Sequence, residues 1–370
     1  MSTLFTLGLQ ESIDDSASSS SLDVYNRVGH NSGNLAFHYA TNRLIRSVPP
    51  VIPWSSTAAE INAMGDLGIL PCANQLGSHT DMTGLGETLR GVTTNLVAVG
   101  LGAQGGVGLD DIPHVPAGTL DWIEQIAARA SSTSPNITVR GDYTLRVLEH
   151  YGFGGRAVSL GCPSLMINTR PDLGRNLERR YRAPFGKIAI AAGHPDWIEM
   201  SALESSLVKI MQSAQGAYIV QNTYDSIALS RGDLSVVSDE YKNKLKGYLG
   251  LDMDLPEFEK WVRGYMISFY NIPAWMEYLR RFDFVVGSRI HGVMLAMQAG
   301  VPGLCIAHDS RIREMCEKSR IPFVMAHQVY SGVTLSELRD MINFDGAEYD
   351  KNRLKISEMY KDFFRSNGVQ

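Results

Sequence analysis

An α/β protein with two parallel sheets is what the sequence predicts, and three observations predict it. Short runs rich in Val, Ile and Leu alternate with amphipathic stretches, first over residues 95–160 and again over 187–318. Alternation of that kind marks βαβ units around a parallel sheet. The chain has 370 residues, and at ~150 residues per domain this length implies about two domains. Composition also changes between the halves, because no lysine precedes Lys187 while arginines occur throughout.

In order along the chain, residues 1–25 are weakly patterned, and the run SIDDSASSSSLD within them is polar and serine-rich. The expectation is a mobile N-terminal segment. An N-terminal domain is assigned to 26–183. In it, 95–102 (NLVAVGLG) reads as a buried strand ended by glycines, and 119–130 has apolar residues at helical spacing. Residues 136–139 (NITV) read as a short strand, 142–151 as a helix, and 157–160 as a strand closed by Gly161 and Pro163. Arg170, Arg175, Arg179, Arg180 and Arg182 follow among Pro171 and Pro184, which reads as a solvated interdomain connection.

A C-terminal domain is assigned to 184–345. Strands are expected at 187–192 (KIAIAA), 216–221, 283–287 (DFVVG) and 303–306. Helices are expected at 201–213, at 273–282 with Pro273 near its start, at 291–299 ended by Gly300 and Pro302, and at 310–318. A long amphipathic helix at about 348–364 closes the chain, within a terminal unit assigned to 346–370.

Composition removes several function classes. A net charge of -5 excludes a broadly basic nucleic-acid binder, and 44% hydrophobic residues exclude a disordered chain. No run approaches the ~18 apolar residues of a membrane helix, and the chain start lacks the pattern of a secretory signal. Cys72, Cys162, Cys305 and Cys316 are far apart with no CxxC pair, which argues against a disulfide framework or structural zinc and fits a reducing cytoplasm. There is no HExxH, no Walker lysine loop and no carboxylate cluster, so no obligatory metal is expected. Residues 100–105 (GLGAQG) resemble a dinucleotide loop, but no suitably placed acidic strand end follows, which argues against a dinucleotide, and no cofactor is expected.

Two α/β sheets joined by a connection place a ligand in the cleft, beyond the carboxyl ends of the strands. The strongest chemical signal lies in such a turn. The expected strand DFVVG runs straight into Ser288-Arg289-Ile290-His291-Gly292 and an apolar helix. A helix N-terminus carries unpaired N–H groups and a partial positive charge that favour an anion. Arg289 adds a fork of donors matched to carboxylate or phosphate, and His291 can carry a proton beside it. The competing reading is an arginine that ties down a loop carboxylate and a packed histidine. His194 and His308 each follow an expected strand and are further candidates for cleft contacts. Trp54, Trp122, Trp197, Trp261 and Trp275 read as packing residues.

The block DFVVGSRIHGVMLAMQAGVP resembles the polysaccharide pyruvyl transferase family in its Ser-Arg-Ile-His-Gly turn and its Ala-Gly-Val-Pro end. Asn31-Ser32-Gly33-Asn34, the run 95–104 ending at Gln104, and the stretch from Asn136-Ile137-Thr138-Val139-Arg140-Gly141 to Gly161-Cys162-Pro163 are similar to further family segments. The resemblance implies two Rossmann-like domains facing across a cleft in the glycosyltransferase-B arrangement, with the C-terminal helix crossing back to the N-terminal domain. It implies transfer of the pyruvyl group of phosphoenolpyruvate onto two hydroxyls of a sugar, with release of phosphate. The acceptor would be a carbohydrate, as polysaccharide or lipid-linked repeat, met at the inner face of the membrane.

By that resemblance Arg289 and Arg140, with Ser288, Ile290 and Gly292 around them, bind phosphoenolpyruvate. His291 is then the acid, Asp81 the base, and Asn31, Asn34 and Gln104 are cleft contacts. Two other readings stand beside this one: a nucleotide-sugar glycosyltransferase of the same fold, and a carbohydrate-binding relative without catalysis.

Overall fold

The computed structural model describes residues 3–106 and 108–369. Among them, strands β1 (Leu4–Leu7), β2 (Val51–Ile52), β3 (Leu67–Pro71), β4 (Asn95–Leu101), β5 (Ile137–Val139) and β6 (Ala157–Ser159) form one sheet in the order β2-β1-β3-β4-β5-β6. A second sheet has β7 (Ile188–Ala191), β8 (Ala217–Ile219), β9 (Met266–Ile267), β10 (Phe284–Gly287), β11 (Gly303–Ala307) and β12 (Phe323–Met325) in the order β12-β11-β10-β7-β8-β9. Every strand pair is parallel. Strands β3, β10 and β11 are buried along their whole length, as expected of sheets covered by helices on both faces. The expected α/β class with two parallel sheets is thus observed.

The strand orders locate the ligand crevices. The first sheet reverses its winding between β1 and β3, the second between β7 and β10. Ligands of open parallel sheets collect outside the carboxyl ends at such reversals. Here the two reversals open on one cavity, lined by Ala73 and Asn74 after β3 and by Ser288 and Arg289 after β10.

The N-terminal segment differs from the mobile tail expected for 1–25. Its described part contributes β1, which lies between β2 and β3 in the sheet. Further on, Ile13 N–H donates to Tyr270 O at 2.8 Å, and Arg231 Nη2 donates to Ser16 O and Ser19 O at 2.9 and 2.7 Å. Ser20 caps the helix Ser21–Arg27 by accepting from Asp23 N. The serines are spent on a cap and on carbonyls for the half-buried Arg231, so their composition imitates a tail.

The arginine-rich stretch read as a solvated connection is also ordered, as the helix Leu173–Tyr181. Its Arg180 donates to Gly300 O and Phe282 O at 2.6 and 3.0 Å. The terminal helix Gly346–Ser366 starts against it, where Asp350 accepts from Gly174 N at 2.6 Å. It then crosses to the first sheet's side, where Tyr360 donates to Gly161 O at 2.7 Å and Asn367 to Pro135 O at 2.9 Å.

Glu314, on the helix Ser310–Ser319, holds the two halves together beside the cavity. Its carboxylate accepts from Thr144 N at 2.9 Å and from the Thr144 hydroxyl, at the N-terminus of the helix Asp142–His150. A side chain at Gly141 would occupy the space of that carboxylate. Burial raises the Glu314 pKa from 4.5 to about 7. The native state therefore binds a proton that the unfolded chain has released between those values, and this contribution to stability falls as pH rises from 4.5 to 7. At ~1.4 kcal/mol per pKa unit the cost at neutral pH is on the order of 3 kcal/mol. Urea midpoints of Glu314→Gln measured from pH 5 to pH 8 should show a flatter pH dependence than wild type. An unchanged slope would remove Glu314 as its source.

Candidate functional site

Glycine makes the key turn possible. Gly287 ends β10 at φ 155°, and a Cβ there would overlap the carbonyl oxygen of Ala191 on the neighbouring strand β7. The chain turns directly from strand into the helix Ile290–Gln298, whose N-cap Arg289 makes no side-chain cap. Gly292 N and Val293 N donate to Arg289 O at 3.0 and 3.4 Å, which leaves the N–H groups of Ile290 and His291 at the open end of the helix. The helix Asn34–Ile45 starts at Gly33, whose N–H donates to Asn31 Oδ1 at 2.9 Å and which is packed so that a Cβ would sit 3.3 Å from His291 Cβ. Residues from the first turns of these helices and of Ser310–Ser319 line the cavity together: Asn34, Ile290, His291, Arg311 and Ile312. Three helix N-termini therefore meet at this cavity, and while Asp309 caps the start of Ser310–Ser319 by accepting from Ile312 N at 2.8 Å, the start of Ile290–Gln298 carries no side-chain cap and favours an anion.

Side-chain charge adds to this. Arg289 Nε and Nη2 are buried without a hydrogen-bond partner, and the guanidinium lies 4.8 Å from the Trp197 ring centroid. Burial, and then Arg311, lowers the Arg289 pKa to about 10, which leaves it a cation at neutral pH. Arg311 has a buried, unpartnered Nε and gives Nη2 to Asp309 at 3.2 Å. Arg140 is 1% exposed; it spends Nε on Gly100 O at 2.7 Å and Nη2 on Cys72 O at 2.9 Å, and Nη1 faces Met315 Sδ at 3.7 Å. Ser288 Oγ and Gln221 Nε2 are further buried groups without partners. A buried polar group left unpaired costs about 1–3 kcal/mol. So many donors at one wall are explained by an anion with several acceptor oxygens.

His291 is 8% exposed, with Nε2 3.7 Å from Cys162 Sγ and its ring 5.8 Å from that of Phe37. Burial first, then Arg140 and Arg311, pushes its pKa well below the usual imidazole value. The ring is therefore neutral at pH 7 until negative charge arrives beside it.

The structure gathers Arg289, Arg140, Ser288, Ile290, His291, Asn31 and Asn34 as walls of this cavity. Gly292 lies behind the wall, where a Cβ would press on Gln221 and Ala191. Gln104 also stands one layer back, accepting from the Asn74 amide. His194 and His308 flank Trp197, with ring centroids 5.2 and 4.1 Å from it, and so support the surface under Arg289. Burial lowers the His308 pKa to about 4.

Asp81 is a correction. Its Oδ1 accepts from Thr83 N and Thr83 Oγ1 at 3.0 and 2.7 Å, ahead of the helix Thr83–Arg90, and it does not reach the cavity. The pattern Asp-Met-Thr before a helix is a local turn, and its carboxylate is committed there. Arg140 differs from the free fork expected of it, since carbonyls take two of its nitrogens.

Arg311, Gln221 and Asn74 belong to the wall and were missed by sequence reasoning. Trp122, Trp261 and Trp275 are core residues as expected, whereas Trp54 and Trp197, the latter beneath Arg289, are half-buried. Among the described residues no group of three or more His, Cys, Asp or Glu side chains is placed to hold a metal.

The profile described as polysaccharide pyruvyl transferase matches residues 76–310. No curated protein matches the chain. Among solved structures, UDP-GlcNAc 2-epimerase from Neisseria meningitidis bound to UDP-GlcNAc is similar over 98% of this chain and 99% of its own, at 9% identity and a TM-score of 0.46. An S. aureus MnaA–UDP structure is similar over 99% of this chain and 94% of its own, at 10% identity and a TM-score of 0.45.

Proposed function

The chain belongs to the polysaccharide pyruvyl transferase family, and from that premise we propose that it transfers the pyruvyl group of phosphoenolpyruvate onto two hydroxyls of one sugar. The acceptor is a polysaccharide or its lipid-linked repeat, and the products are a cyclic pyruvate ketal and phosphate. Among the described residues no helix is long and apolar enough to cross a membrane, and a lipid-linked acceptor would be met at the cytoplasmic face.

One observation carries the reading. Unpartnered buried donors of Arg289 and Arg311, with Arg140 behind them, surround a narrow cavity of ≈ 50 Å³ beside a neutral imidazole. That scale favours a three-carbon acid over a nucleoside diphosphate. Carboxylate and phosphate oxygens would satisfy the guanidinium groups, the Ser288 hydroxyl and the N-terminus of the helix Ile290–Gln298.

The same anion reverses the field at His291, so the ring binds a proton as the donor binds. Protonated His291 gives that proton to the methylene carbon, and a sugar hydroxyl oxygen bonds to C2. Neutral His291 then takes the hydroxyl's proton. The second hydroxyl closes the ketal as the C2–O bond to phosphate breaks, and its proton departs with the phosphate. Arg289 and Arg311 hold the leaving group's charge. Among the described residues no carboxylate lines the cavity, which is why both proton transfers are assigned to one imidazole.

The test is incubation with phosphoenolpyruvate and methyl glycosides of galactose, glucose and mannose. Phosphate should appear in step with a product heavier by one pyruvyl group. Nucleotide-sugar turnover with no phosphate release from phosphoenolpyruvate would overturn the reading.

A further inference from the structure

A second hollow adjoins the donor cavity, and its lining differs in kind. It has a volume of ≈ 360 Å³ and is lined by Trp54, Asn74, Gln75, Thr80, Met82 and their neighbours. Asn74, with Ala73, lines both spaces, so the two share a wall. Trp54 follows β2, and Asn74 and Gln75 follow β3, which puts the hollow at the carboxyl ends of the first sheet, facing the donor side. Resting on the function proposed above, we propose that this hollow seats the acceptor as an uncharged pyranose ring.

The chemistry of the lining selects that ligand. Among the described residues no Lys, Arg, Asp or Glu lines it, in contrast to the three arginines next door. Trp54 and Met82 offer an apolar bed for the C–H face of a sugar. Trp54 is half-buried and lies against Gly8, where a Cβ would come within 3.4 Å of the indole, so the ring is backed by main chain.

The polar groups are oriented rather than loose. Asn74 gives its amide N–H to Gln104, and Gln75 spends its Oε1 on Ala73 N at 2.8 Å. Asn74 therefore presents an acceptor and Gln75 a donor. The Thr80 carbonyl accepts from Thr119 Oγ1 at 2.7 Å, which fixes the loop that carries the Thr80 hydroxyl. One acceptor, one donor and one hydroxyl over an aromatic face match a pair of sugar hydroxyls, and the shared wall at Asn74 hands that pair to the donor. A uronic acid would bring a carboxylate against Trp54 and Met82 with no cation to pair it, and such a charge is costly.

Trp54→Ala and Thr80→Val test this, with Trp54→Phe as the conservative control. The first probes are methyl glycosides of galactose, glucose and mannose, with methyl glucuronoside as the charged comparison. Trp54→Ala should raise the acceptor KM about tenfold or more and leave the phosphoenolpyruvate KM within about twofold. Trp54→Phe should restore most of the affinity, and Thr80→Val should raise the acceptor KM without lowering the thermal midpoint. Glycoside binding is also followed by calorimetry without phosphoenolpyruvate, so that it is read independently of turnover.

Calorimetric binding of a neutral glycoside that Trp54→Ala abolishes would support the hollow even if phosphoenolpyruvate proves not to be the donor. Turnover of phosphoenolpyruvate with an acceptor KM unmoved by Trp54→Ala and Thr80→Val would overturn the hollow and leave the donor reading standing. Preference for the glucuronoside would overturn it as well.

Discussion

Replacing Arg289 with Met should lower kcat/KM for phosphoenolpyruvate by about 10²–10³-fold, the range seen when one pre-aimed charge-stabilising donor is removed, while the thermal midpoint of the ligand-free protein rises by a few degrees. The two effects share one cause. Arg289 holds two nitrogens in the protein interior with no partner, and its lowered pKa records the cost of that burial. Met fills much of the same space without charge, and exchanging a poorly paired buried ion for an apolar side chain often stabilises by about 1–4 kcal/mol.

Thermal scans with and without phosphoenolpyruvate read both effects. Wild type should gain about 2.7 kcal/mol at a hundredfold excess over Kd, and the variant should gain almost nothing. A midpoint several degrees below wild type would instead make Arg289 a structural residue. Lysine in its place should rescue little, because a point charge cannot reproduce the fork.

His291→Gln should lower kcat by about 10²–10⁴-fold, the usual contribution of a positioned proton carrier, with the phosphoenolpyruvate KM changed only a few-fold. The pH profile carries the finer prediction. In the free protein the imidazole is pushed well below its ordinary pKa by burial and by Arg140 and Arg311. Activity that needs the protonated ring falls as pH rises through that pKa, so kcat/KM should decline across the neutral range. The bound donor raises the pKa, so the corresponding limb in kcat should lie at higher pH. His291→Gln should lose both limbs. If the two limbs coincide in wild type, the donor does not set the protonation of His291.

The parts of this molecule legible in its sequence are those where one local segment holds both the structural and the chemical signal. The turn from β10 into the helix Ile290–Gln298 is the clearest case, since an apolar run, a glycine, an arginine and a histidine stand in eight consecutive positions. Arg140 was legible for the same reason, following a short apolar strand, although its capture by the carbonyls of Gly100 and Cys72 depends on two other strands.

Arg311 was not legible. It lies in the polar helix SRIREMCEKS, and only the adjacency of β10 and β11 brings it to the cavity. Trp54 was hidden similarly, because a two-residue edge strand, β2, positions it. The strand β1 is four residues long and precedes a serine-rich run that looks like a tail. Asp81 failed in the opposite direction: a carboxylate near the right place was already used by Thr83 two residues on.

The hydrophobic interior has a consequence for how the molecule comes apart. One continuous cluster takes in Leu35, Phe37 and Val97 from the first sheet's side together with Ile190, Val286 and Leu304 from the second, while Phe5, Leu96 and Trp122 form a separate cluster within the first. The helix Asn34–Ile45 thus belongs by sequence to one half and by packing to both. Severing the chain between the sheets would strip apolar surface from each fragment, and neither is equipped to be expressed alone. Heating should melt the second sheet and the inner layer of the first in a single cooperative step, with any earlier loss of structure confined to the outer layer around Trp122.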